Sequence, residues 1–243
     1  MLPSPVHATV ARLTVRGLLG SRRGVLLLIV PVLLLMMSAV AAASHGDKHD
    51  LTVLILGHLG LGTLVPLLGL VVGTGVIATE IDDGSIVYLL AKPVPRWRIV
   101  ATKLTVAVLT TWLCSAVPTL LGGLLLYGTK DGLAVAFTLG VMVAGAAYSA
   151  LFLFLGIASR NAVVFGLAYA LIWESLIGNF VKGAKTLSIQ QWGLSVAKAV
   201  AADGALSAEV ALGTAVLLLL LVSVLATVFA SVKLAGLTLA SDD

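Results

Sequence analysis

The chain has 243 residues, 60% of them hydrophobic and 11% charged, with a mean hydropathy of +1.13. Soluble globular domains carry about 25% charged residues, so this composition excludes an ordinary soluble domain. Several apolar stretches exceed the roughly 18 residues that mark a membrane-spanning helix. The net charge of +4 does not argue for a nucleic-acid partner, because the basic residues gather at the ends of apolar runs, where they set membrane orientation.

In chain order, residues 1–23 predict an amphipathic interfacial helix. Val6, Val10, Leu13 and Leu18 follow a helical spacing, and Arg12 and Arg16 lie four apart, toward lipid headgroups. Residues 24–243 then predict an all-α membrane domain of six transmembrane helices, near 24–43, 51–78, 99–127, 133–158, 163–178 and 209–235. The run from Gly24 to Ala43 is too long for a signal-peptide core of about 7–15 residues. Ser44–Asp50, Gly128–Gly132 and Ser159–Ala162 are short connectors. Two longer ones are the segment 79–98, acidic then basic, and the outer segment 179–208, which carries Lys182, Lys185 and Lys198.

Placing the N-terminus in the cytoplasm puts every arginine, with Lys92, Lys103 and Lys233, on the inner side. Lys48, Lys130, Lys182, Lys185 and Lys198 are left outside. That asymmetry predicts a multi-pass protein of the cytoplasmic membrane with both termini inside, as an even number of spans requires.

The segment 79–98 is the most informative. Glu80, Asp82 and Asp83 open it where the second span leaves the membrane, and Gly84 interrupts. Ile86, Val87, Leu89 and Leu90 form a short apolar face, Pro93 and Pro95 stop a helix, and Arg96 and Arg98 begin the third span. Such a face fits either a groove in a soluble partner or an interfacial loop resting on lipid.

The spacing of Glu80, Gly84, Leu89-Leu90, Pro93, Arg96 and Lys103 resembles the first cytoplasmic loop of type-2 ABC exporter permeases. The likeness is strongest to the small six-span permeases, including those that accompany nitrous oxide reductase maturation. Pro95 departs from the small polar residue common there. The stretch Leu171–Trp192 resembles the fifth span and outer segment of the same permeases, and residues 1–23 their elbow helix. The resemblance implies a coupling helix that docks on a cytoplasmic P-loop ATPase, through Glu80, Asp82, Asp83, Gly84, Leu89, Leu90, Pro93 and Arg96. It further implies a second permease copy or paralogue, with ATP and Mg held by the partner ATPase and no cofactor in this chain.

Apart from Glu209, the first residue of the sixth expected span, Glu174 is the only acidic residue inside an expected span. A charge at the bilayer centre costs roughly 2.5–3.5 kcal/mol, so Glu174 is either a pathway or gate residue or a capped carboxylate where the fifth helix turns outward. His45, Asp47, His49 and Asp50 fit no structural zinc spacing and read as an ordinary polar loop. His58, inside the second span, reads as a hydrogen-bonded structural residue. Gly69 and Gly73 form a small-xxx-small face for helix contact.

Gly178–Thr186 imitates a phosphate loop, but Ala184 stands where lysine must follow the second glycine. No catalytic constellation is present, so the chain reads as a transport subunit and not an enzyme. The expected function is the permease of an ATP-driven exporter. The alternative is an ion-coupled secondary transporter, which predicts more intramembrane charge or broken helices.

Overall fold

The computed structural model describes residues 23–44, 46–82, 95–172 and 184–236. The expected interfacial helix lies outside these residues. So do Asp83, Gly84, Leu89, Leu90, Pro93 and Glu174.

The described chain is all-helical. α1 (Arg23–Ala42) carries Pro31. α2 (Lys48–Leu54) runs through a π-helix (Ile55–Leu64) into α3 (Val65–Asp82) as one long rod. α4 (Arg96–Tyr127) turns through Gly128 and Gly132 into α5 (Leu133–Ala158). α6 (Ala162–Ala168), α7 (Ile189–Val200) and α8 (Leu212–Gly236) complete it. Pro95 is the N-cap of α4, in an extended conformation, as a proline that cannot continue a helix requires.

Among the described residues, four helices are long and apolar enough to cross a membrane: Lys48–Ile77, Arg96–Tyr127, Lys130–Ala158 and Leu212–Gly236. The 32 residues of α4 measure about 48 Å, against a hydrocarbon core of about 30 Å. At the first and fifth expected spans, the described residues include the apolar helical stretches Leu27–Ala42 and Ala162–Ile172.

α5 is the hub, contacting α3, α4, α7 and α8. Its stripe of Gly140, Ala144, Ala147, Tyr148 and Phe152 is buried. The small-residue face expected on the second span is the one that meets it. A Cβ added at Gly73 would lie 2.9 Å from the Phe152 Cβ and 3.0 Å from the Ser149 carbonyl oxygen. Only glycine admits that approach, and the helices associate there through dispersion contacts that lipid cannot supply. The outward faces of α1 and α8 remain apolar: Val40 is 70% exposed and Leu217 61%. Faces of this kind demand lipid or another apolar surface.

The alternating helix directions sort the described charges. Arg96, Arg98, Lys103, Arg160 and Lys233 lie toward one end of the bundle, with the edges of the segment 83–94. Lys48, Lys130 and Lys198 lie toward the other. The two ends are called here the arginine end and the distal end.

Candidate functional site

At the arginine end, α3 and α4 are fastened together at the two edges of the segment 83–94. Lys103, two turns into α4, is fully buried. Its Nζ donates to Glu80 Oε1 at 2.7 Å and to the Val76 carbonyl at 2.6 Å. Glu80 stands in the last turn of α3, with its side chain 23% exposed. An ammonium in an apolar bundle needs a counter-charge and oxygen acceptors, and α3 supplies both one turn apart.

Around this pair the hydroxyls of Thr74 and Thr102 donate to the Leu70 and Arg98 carbonyls at 2.7 Å each. They turn inward without leaving a donor unmet. Trp97 is half exposed, and the Arg98 guanidinium lies 5.3 Å from its ring centroid. A tryptophan beside arginines at the start of a long apolar helix is the usual anchor at a membrane–water interface.

Of the residues expected to form the coupling site, Glu80 and Arg96 fall among those described, together with the backbone of Asp82 at the end of α3. The structure gives Glu80 an intramolecular partner that sequence reasoning did not assign. Lys103 entered that reasoning only as a spaced motif residue. A usable signal was present, since a lysine inside an apolar helix must find an acid, and Glu80, Asp82 and Asp83 are the acids nearest in sequence at the same end of the bundle.

A second polar site, missed by sequence reasoning, lies at the distal end. A cavity of about 860 Å³ opens between the π-helix and α7, lined among others by His49, Asp50, His58, Gln190, Gln191 and Lys198. The Asp47 carboxylate accepts from the His49 backbone N–H at 2.9 Å and so caps α2. His49 Nδ1 stands 3.4 Å from Asp50 Oδ1, and its ring meets Tyr127 edge-on at 5.8 Å.

His58 departs from the expectation of a hydrogen-bonded structural residue. It is exposed and faces the cavity, and its carbonyl, not its ring, accepts from Thr63 Oγ1. The wider π turn brings the side of the helix bearing His58 to the cavity wall. No group of three or more His, Cys, Asp or Glu residues gathers among the described residues.

No protein-family model matches the chain, and no curated protein matches it. Two sites stand out in the described residues: a buried ion pair that clamps α3 to α4 at the arginine end, and a polar cavity at the distal end.

Proposed function

We infer that this chain is the membrane-spanning permease of an ATP-driven exporter, with six spans and both termini in the cytoplasm. Two copies, or one copy and a paralogue, would recruit cytoplasmic P-loop ATPase subunits that hold ATP and Mg. The observation that carries this reading is the Lys103–Glu80 pair with its second bond to the Val76 carbonyl. The segment between these helices resembles a coupling helix, and a coupling helix transmits force only if both of its attachments move together. The buried pair makes the ends of α3 and α4 one body, so a push on residues 83–94 becomes a rigid movement of two long helices. In this reading Glu80 positions the coupling segment, while Leu89 and Leu90 fill the ATPase groove and Asp82 and Asp83 face its basic rim.

One observation favours the ion-coupled carrier as a second reading. Lys103 and Glu80 are an ionisable pair within the helical bundle, and intramembrane carboxylates are the usual relays of ion-driven transport.

Affinity purification of the intact chain from native membranes in mild detergent tests the two. The exporter reading predicts stoichiometric recovery of a P-loop ATPase, lost in Leu89→Asp and Leu90→Asp variants. It also predicts nucleotide hydrolysis in the complex. Recovery with no nucleotide-hydrolysing partner, together with substrate flux in proteoliposomes driven by a proton or sodium gradient alone, would favour the carrier.

A further inference from the structure

The distal cavity is a built site. One wall is the ten-residue π-helix Ile55–Leu64, where Thr63 Oγ1 donates to the His58 carbonyl at 3.0 Å and the Val65 N–H to that of Gly60. Both bonds span five residues. The π arrangement is rare, appears mostly as single turns, and concentrates where a helix serves a site and not merely a core. Five residues of this stretch, Gly57, His58, Leu61, Gly62 and Thr63, face the cavity.

The opposite wall is α7, whose two faces divide cleanly. Ile189, Trp192, Gly193 and Ala197 are buried, while Gln190, Gln191, Leu194 and Lys198 line the cavity. Three contacts hold α7 in place. A Cβ at Gly140 of α5 would lie 2.6 Å from the Gly193 carbonyl oxygen. The Trp192 indole N–H donates to the Thr186 carbonyl at 2.7 Å. Ser195 Oγ stands 3.0 Å from the carbonyl of Val210. The carboxamide of Gln190 rests directly on the π-helix, where Gly62 leaves it room: a Cβ there would meet Gln190 Nε2 at 2.7 Å.

Polarity within the cavity is ordered. Leu61, Phe137 and Leu194 give an apolar lining, while Asp50 and Lys198 supply one carboxylate and one ammonium. A ligand of net negative charge meets the repulsion of Asp50, and one of net positive charge that of Lys198. A ligand carrying both charges satisfies both. At about 860 Å³ the space falls within the range of small-molecule sites, about 300–1,000 Å³. It opens outward along His58 and Thr63, both exposed, and Leu54, four residues before His58 on the same helix, is an exposed apolar side chain. An apolar tail can leave by that route.

We propose that the distal cavity binds a zwitterionic amphiphile from the bilayer, an aminophospholipid. Its phosphate is held by Lys198 and the amides of Gln190 and Gln191, its ammonium by Asp50, and the start of its tail by Leu61, Phe137 and Leu194. The proposal does not rest on the exporter reading, since it requires no ATPase.

The test is binding to the purified full-length chain in a non-ionic detergent, with three probes: lysophosphatidylethanolamine, lysophosphatidylglycerol, and glycerophosphoethanolamine, which lacks the acyl chain. Lysophosphatidylethanolamine is expected to bind about fivefold or more tighter than lysophosphatidylglycerol. Asp50→Asn should abolish that preference, and Lys198→Gln should weaken both lipids. Asp50 and Lys198 are exposed side chains, so both variants should keep the parent melting temperature. Equal affinity for the two lipids in the parent chain overturns the zwitterion assignment. Binding of glycerophosphoethanolamine as tight as its acylated form overturns the assignment to a bilayer lipid.

Discussion

Lys103 places its charge where the bundle can least accommodate it alone. Removing one partner of a buried pair leaves the other charge uncompensated, which costs about 3–5 kcal/mol, whereas replacing both by apolar groups of similar size is often neutral or stabilising. Lys103→Met should therefore destabilise the folded chain by about 3–5 kcal/mol. The double variant Lys103→Met with Glu80→Leu should recover most of the loss. Unfolding in detergent checks this, and a double variant no more stable than Lys103→Met would show that the pair is not the clamp described. The sequence already singled out both residues, but as members of a motif. Two side chains 23 positions apart can be paired only once the helices that carry them are known to run side by side.

At the scale of the element, the long apolar rods are plain in the sequence because hydropathy over 18 or more residues survives any local error. Gly69 and Gly73 were legible as a contact face for the same reason: small residues four apart in an apolar helix have little else to do. Gly73→Leu should destabilise by about 3 kcal/mol or more, because the contacts at 2.9 and 3.0 Å are to a Cβ and a backbone oxygen that cannot swing aside. Gly213→Ala in α8 meets nothing within 4 Å and should be neutral or stabilise by up to about 1 kcal/mol. Melting temperatures of the two variants test the assigned packing, and equal shifts would contradict it.

Two elements were not read from the sequence. The π-helix has no periodic signature, since its five-residue bonds are chosen by the packing of both walls. α7 was hidden within the outer segment because Gln190, Gln191 and Lys198 lower its hydropathy below that of a span. Its start was nonetheless written as Ser188 with Gln191 three residues on, a capping-box spacing, and Ser188 Oγ accepts from the Gln191 N–H at 3.3 Å.

Across the whole molecule, the two ends differ in what they hold. The arginine end joins two long helices through one buried ion pair and presents the interfacial Trp97. The distal end holds a polar cavity walled by a π-helix and a short amphipathic helix. Between them α5 touches both regions, against α3 through Tyr148 and Phe152 and against α7 through Gly140. A movement imposed on α3 and α4 therefore has a packed route to the far side, since close-packed interiors transmit displacement instead of absorbing it. Charge asymmetry made the two ends legible in the sequence. The distal cavity was not legible, because its walls come from segments more than 120 residues apart.

The central claim is that the segment between α3 and α4 receives force from a nucleotide-hydrolysing partner. Its most direct test is a photo-reactive amino acid placed at Leu90 and activated in native membranes. The account predicts a covalent adduct to a P-loop ATPase, formed from the cytoplasmic side and altered when nucleotide is bound. Adducts to lipid alone, or to proteins reached only from the opposite side of the membrane, would contradict it.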